Sequence, residues 1–432
     1  MNKYGTKIVN YLDQSSNIDI RNKINATHPF IKQIMDLINS INYDLSYNKT
    51  TTKIKKIHSN KYPLFYNVYY NTYPVFSDFY QWFIVNQQTT VSHPKNEYYD
   101  LIFNPCSSRQ ELHDLLYNNS FISLDVLHYF EITDVFNVKV NDVKFDLDLY
   151  IAQSDESKID YFISKITKIL NIMYEINNVI IKNPNKKIIV KVLLTKQRKE
   201  IIDDLIPVLS PININSGSSI REKLVCVWRE EELEKVLIHE IQHYYGCDFY
   251  SDCDEYYYVK KILDEYFNVD GRDMVNESYN ETLAHIIHMC FINKEINLDI
   301  QRIYEIEMKF LFLQTAKIIK YFGGKDFNQL FRSHSKFISL KQTTSVLSYY
   351  IIKTIMMFNI NQTLDLILKF DMKCNNKNKD NIKSFGDFLK QLLSDKTEIN
   401  NLSYYVNYFI NKLDSLDDCF VKRTLRMTAI SV

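Results

Sequence analysis

The chain has 432 residues, enough for two or three structural lobes around a sizeable core, and its 52 Lys and Arg balance its 52 Asp and Glu to a formal charge of zero. No net field therefore draws it to nucleic acid or to an anionic membrane surface. Seven cysteines, an odd number without paired spacing, speak for a reducing compartment, and neither the polar residues after Met1 nor any later run reads as a signal peptide or a membrane span, so an intracellular, soluble protein is expected.

Residues 1–130 read as a mainly helical region. Residues 29–38 carry apolar side chains at helical spacing, and residues 110–117 do so more briefly. The tyrosines and phenylalanines crowded into residues 62–88 read as aromatic core, and the isolated His93 and His113 as structural. From about residue 134 the period shortens to two. Phe136, Val138 and Val140 alternate with polar neighbours, Asn141-Asp142 supplies a turn, and Val143, Phe145, Leu147, Leu149 and Ile151 alternate again, which predicts a hairpin. Residues 156–178 return to the helical period, Asn183-Pro184-Asn185 makes a turn, and the apolar run 188–194 predicts a strand. Short strands are expected at 211–215 and 223–228. After Gly246 helices are expected over 252–267, 274–292, 302–322, 344–358, 385–393 and 402–413, with a polar loop at 375–380.

Between the last strand and that helical remainder stands His239-Glu240-Ile241-Gln242-His243. Glu230, Glu231 and Glu232 suit a helix first turn, Leu233, Leu237, Ile241 and Tyr244 form one apolar stripe, and Gly246 supplies a stop. Residues four apart share a helix face, so His239 and His243 can turn both imidazoles toward one zinc ion. Glu240, one position after the first histidine, then stands beside the metal without binding it, placed to take a proton from water. The bland reading, a partly buried helix with hydrogen-bonded histidines, needs no metal. Two histidines require a third protein ligand if one position is to stay open. The helix expected over 274–292 offers it. Glu277, Glu281, Ala284, His285 and His288 fall within about a third of its circumference, a costly gathering of ionisable groups on a buried stripe unless a metal explains it. Cys247, Cys253 and Cys290 read as small buried residues.

The succession of strands, helix, strands and His-Glu-x-x-His helix, followed by Asn280-Glu281-Thr282-Leu283-Ala284 on a downstream helix, resembles the gluzincin group of zinc metallopeptidases. These are the thermolysin-like and aminopeptidase-like enzymes with a glutamate as third ligand, and the resemblance spans residues 134–292. It implies an α+β fold: a zincin-like catalytic domain, built of a small mixed sheet plus the active-site helix, with mainly helical N- and C-terminal regions. The corresponding divisions are 1–130, an upper lobe over 131–246 and a helical lower lobe over 247–432. The resemblance further implies Zn2+ as cofactor, His239, His243 and Glu281 as its ligands, Glu240 as general base on a zinc-activated water, and a protein or peptide substrate. Ala284 becomes the small residue facing the active helix. His285 stands where many relatives carry an aspartate, which leaves the partner of a zinc histidine open. A second register, Glu277 as ligand with Glu281 behind it, also stays open; the match to Asn-Glu-x-x-Ala favours Glu281. No His-x-x-Gly-x-x-His follows the first motif, which argues against the metzincin branch.

An oxyanion stabiliser is expected from the C-terminal region, with Tyr349, Tyr350 and His334 as candidates. A substrate strand is expected along an edge near residues 213–219. Two other readings stand beside this one. A zincin fold without activity would serve as a structural or scaffold protein, for instance in a large virus particle. A carboxypeptidase or amidase would need a cation for a substrate carboxylate, for which Arg229, Arg272 and Arg332 are candidates.

Overall fold

The computed structural model describes residues 3–15, 18–41, 48–54, 126, 129, 133–181, 186–201, 207–247, 249, 253–271, 274–370 and 379–431. Residues 62–88 and 110–117, with His93, His113 and Arg272, lie outside them. The chain opens with two amphipathic helices, α1 (Lys3–Ser15) and α2 (Pro29–Ser40). Pro29 starts α2 at a position whose N–H a helix does not need. β1 (Asn48–Ile54) follows, a strand within a region expected to be helical. Its three consecutive threonines favour extended backbone through their branched Cβ atoms, while showing no apolar period that would announce a strand.

The period-two stretches form β2 (Val135–Asn141) and β3 (Phe145–Ala152), an antiparallel hairpin in which Val135 faces Ala152 and Asn141 faces Asp146. Val143 stands exposed at the turn, outside the ladder, because the Asp142 carboxylate accepts the Lys144 N–H at 2.9 Å and reverses the chain there. α3 (Ile159–Ile176) leads to β4 (Ile188–Thr195), which returns parallel to β3. The strand expected at 211–215 is instead the short helix α4 (Pro211–Ile214). Pro211 has no N–H for a ladder, and the Asn213 side chain accepts the Ser210 backbone N–H at 3.0 Å, closing a turn. β5 (Gly217–Ile220) and β6 (Leu224–Arg229) pair antiparallel, and β6 runs parallel to β4. The six strands lie in the order β1-β2-β3-β4-β6-β5, which leaves β5 at one edge.

The rest is helical, as the sequence predicts, apart from one small addition. α5 (Leu233–Tyr245) and α6 (Asp254–Tyr266) precede β7 (Val269–Gly271), α7 (Asn276–Ile296) and α8 (Ile300–Tyr321). β8 (Leu340–Gln342) pairs parallel with β7. A π-helical turn, Leu347–Ile352, runs into α9 (Lys353–Phe358), and α10 (Ile360–Lys369), α11 (Lys379–Ser394), α12 (Lys396–Lys412) and α13 (Cys419–Arg423) complete the order. The fold is thus mixed α/β, with one continuous apolar core reaching from α1 and α2 through the sheet to α12. Among the described residues no helix is long and apolar enough to cross a membrane.

Candidate metal centre

β6 ends at Arg229, and three acidic residues carry the chain into α5. Glu232 holds the left-handed conformation (φ 59°) just before the helix. For a residue with a Cβ that costs about 1–2 kcal/mol, which is offset where the Glu232 carboxylate accepts the N–H groups of Met427 and Thr428, both at 2.6 Å. α5 packs against β5, β6, α3 and α7, so all of its residues except His243 are buried. It ends at Gly246, whose φ of 73° lets the Gly246 and Cys247 N–H groups return to the His243 and Gln242 carbonyls, both at 2.9 Å.

His239 and His243 sit one turn apart with ring centroids 4.6 Å apart and Nε2 atoms 2.9 Å apart. α7 brings Glu277 to them, its Oε2 lying 3.3 Å from each Nε2. Among the described residues these three form a group that could hold a metal ion, their donor atoms all within 4.8 Å of one another. The outer ring nitrogens face other α7 side chains. His239 Nδ1 is 3.0 Å from Glu281 Oε2, and His243 Nδ1 is 3.1 Å from the Asn280 amide. A proton on His239 Nδ1 leaves its Nε2 lone pair aimed at the point that His243 Nε2 and the Glu277 carboxylate also approach, and two imidazoles with one carboxylate are a donor set that suits a divalent ion such as zinc. Burial pushes the Glu277 carboxyl up, but the neighbouring histidines hold it well below the usual carboxylate range. Burial likewise lowers the His239 imidazole, and its hydrogen bonds to Glu277 and Glu281 leave it raised overall.

Glu281, the ligand favoured on sequence, sits one helical turn further along α7 and is otherwise engaged. Its Oε1 takes the ammonium groups of Lys235 and, at 3.1 Å, of Lys353. Those lysines overcome the burial penalty and hold the Glu281 carboxyl far below its ordinary value. The geometry therefore arranges the second register, with Glu277 at the histidine pair and Glu281 behind His239. The cause is the two buried cations: each requires a carboxylate, and Glu281 is the one they meet. Ala284 is fully buried, and at that point the Gln242 amide ties α5 to α7, its nitrogen 2.9 Å from the Asn280 carbonyl and its oxygen 3.2 Å from the Ala284 N–H. His285 pairs with Glu307 on α8, at 3.2 Å from Nε2 to Oε2, and so is directed away from His239 and His243. His288 is buried too, and burial pushes its pKa down to about 4.

Glu240 lies against the edge strand β5. Gly217 makes this approach feasible, since a Cβ there would stand 2.6 Å from both Cγ and Oε1 of Glu240. Burial pushes the Glu240 carboxyl up, with His239 and His243 opposing and a hydrogen bond to Ser219 opposing further; the net shift is upward. That is the direction a general base working near neutral pH requires. Glu240, His239, Gly217, Tyr349 and Met427 line a small cleft, together with Lys199, Lys235 and Glu281. Tyr349 belongs to the π-helical turn and its ring centroid is 6.3 Å from that of His239. Such turns recur at functional sites. Tyr350 is buried and donates to the Leu425 carbonyl at 2.5 Å, while His334 Nδ1 accepts the Lys336 N–H at 3.1 Å. Arg229 donates to the Ile212 carbonyl at 2.5 Å and Arg332 to that of Phe267 at 2.7 Å; neither lines the cleft. Cys247 and Cys290 are buried, as expected, and Cys253 is half-buried.

Sequence reasoning passed over Lys235, Lys199, Lys353, Asn280, Gly217 and Met427. Lys235 had a signal, four residues before His239 and so on its helix face. Asn280 had a weaker one beside Glu281. The others come from distant parts of the chain. Comparison with known protein families, with curated proteins and with solved structures finds no match for this chain.

Proposed function

We propose that this chain is a zinc-dependent metallopeptidase of zincin-like architecture, with His239, His243 and Glu277 as the metal ligands and Glu240 as general base. The observation that carries the reading is that three-residue donor group beside Glu240, a buried carboxylate whose pKa is raised and which shares with His239 the lining of a cleft at the edge strand. When bound, zinc would supply Lewis acidity toward a carbonyl and make water a better acid. Glu240 takes the proton from the attacking water and returns it to the leaving amine. Tyr349, which lines the cleft, donates a hydrogen bond to the developing oxyanion in this reading. β5, at the edge of the sheet among the described residues, offers backbone groups to an extended peptide, close to the edge expected at 213–219. Glu281, kept ionised between Lys235 and Lys353, fixes the His239 tautomer that presents Nε2.

Elemental mass spectrometry of the purified protein should find about one zinc per chain, as a three-ligand site with an open position requires. Glu240→Gln should retain the zinc and lose cleavage of a peptide library. Cleavage by that variant at the wild-type rate would remove the general-base assignment. A second reading, a metal-holding but catalytically silent scaffold protein, is favoured by the burial of the site: His239, Glu240 and Glu277 are each only 6% exposed. Zinc-loaded protein that leaves the whole library intact selects it.

A further inference from the structure

Residues 425–431 form neither helix nor strand, yet none of them is more than 4% exposed. Their backbone groups must therefore find partners elsewhere, and side chains from distant elements supply them. Glu232, just before α5, accepts the N–H groups of Met427 and Thr428, and Glu307 of α8 accepts those of Ala429 and Ile430 at 2.9 and 3.0 Å. The carbonyls of Leu425, Arg426 and Met427 accept from Tyr350 at 2.5 Å, Gln314 at 2.7 Å and Lys353 at 3.2 Å. No backbone ladder ties residues 426–431 to the sheet or to a helix, so this strap can open as a unit of its own.

Met427 is where the strap reaches the candidate metal centre. Its carbonyl takes Lys353, and its sulfur lies 3.5 Å from Lys235 Nζ. These are the two ammonium groups that share Glu281 Oε1, while the other Glu281 oxygen lies 3.0 Å from His239 Nδ1. Direct contacts thus run from Met427 through the two lysines to Glu281, and from Glu281 to a metal-binding imidazole. We propose that residues 425–431 are a latch whose docking completes the metal centre, with Met427 as a positioning residue for Glu281. This rests on the ligand assignment made for the metallopeptidase. With the strap undocked, Lys353 loses an acceptor and both ammonium groups draw on Glu281, which turns toward them and away from His239. The imidazole then lacks the acceptor that fixes its tautomer, a loss of about 10- to 100-fold in metal affinity. Such coupling is reciprocal, so a loaded centre holds the strap down by the same factor.

Hydrogen exchange of the whole chain, metal-free and zinc-loaded, reads the coupling. In the metal-free protein the N–H groups of residues 427–430 should exchange faster than those of β3, and in the zinc-loaded protein they should slow by about 10- to 100-fold. Exchange at the β3 rate would make the strap part of the globally unfolding core, and exchange indifferent to bound zinc would remove the coupling; either result overturns the proposal. A second measurement compares Ile430→Ala, which loosens the strap, with Leu147→Ala in β3, both residues being buried. Competition against a chelator should show zinc affinity about 10-fold or more lower in Ile430→Ala and unchanged in Leu147→Ala. Equal affinities overturn the latch, and so does an Ile430→Ala protein that keeps its zinc affinity and cleaves peptides faster, since the strap is then a plug in the cleft that Met427 lines. If either variant does not fold, the exchange measurement on the wild-type protein decides alone. Zinc-coupled exchange in a protein that cleaves no peptide would refute the peptidase reading and keep the latch, whereas a chain that takes up no zinc refutes both.

Discussion

Glu277→Gln and Glu281→Gln alter the same atoms one helical turn apart, yet their surroundings predict opposite losses. Glu277 Oε2 stands 3.3 Å from both histidine Nε2 atoms, with no ammonium group among its closest partners. Spread over four ligands, the 10–16 kcal/mol typical of a structural zinc site gives roughly 3 kcal/mol per ligand, so Glu277→Gln should weaken zinc binding by about 100-fold or more. Metal-free stability should fall by about 1–3 kcal/mol, the cost of leaving the two imidazoles without that carboxylate, since no buried ammonium group loses its partner. Glu281 is the reverse case. Its removal strips the shared carboxylate from Lys235 and Lys353, each at most 1% exposed. Breaking a buried pair in this way costs about 3–5 kcal/mol, whereas loss of a partner behind a zinc histidine weakens metal binding by about 10- to 100-fold. Competition against a chromophoric chelator measures the first quantity and urea unfolding of the metal-free proteins the second. Should Glu281→Gln lose zinc more severely than Glu277→Gln, with Glu277→Gln the less stable metal-free protein, the two roles are exchanged and the register favoured on sequence is correct.

Gly217→Ala puts a methyl group 2.6 Å from Glu240 Oε1, so the carboxylate must move by about 1 Å; turnover should fall about 100-fold while zinc content and melting temperature hold, and undiminished turnover would refute the seat. Lys317 is buried and donates to the Thr424 carbonyl at 2.9 Å, and burial pushes its pKa down to about 7 from 10.5. Between those values the unfolded chain binds more protons than the folded one, so this lysine makes stability rise with pH by up to about 1.4 kcal/mol per unit; urea melts at several pH values in that window should show a shallower slope in Lys317→Met. Glu307 faces His285, the Ala429 N–H and the Thr428 hydroxyl, which overcome burial and hold its pKa at about 2. Its contribution is present above the ordinary 4.5 and lost as pH falls toward 2, so Glu307→Gln should flatten the acid limb of a stability profile, and an unchanged limb would contradict the pairing.

What was legible in the sequence was local. Alternation marked β2 and β3, the 3.6-residue period and Gly246 bounded α5, and a four-residue spacing placed His239 and His243 on one face, because each of these depends only on near neighbours along the backbone. β1 escaped because threonines carry extended preference without an apolar signal. α4 was mistaken for a strand because apolar residues alternate with asparagine there, and it took Pro211 and the Asn213 cap to decide for a turn. The choice between Glu277 and Glu281 belonged to the tertiary structure, since both lie on the buried stripe of α7. What distinguishes the two is where two distant lysines come to rest: Lys235 from α5 and Lys353 from α9 meet at Glu281, and a buried ammonium group takes whichever carboxylate the packing brings to it. The positions of Lys199 and Met427 in the cleft likewise come from contacts between segments far apart in the chain, such as that of Met427 with Glu232, 195 residues away. Side-chain periodicity identifies a face, and only the packed fold determines which groups that face meets.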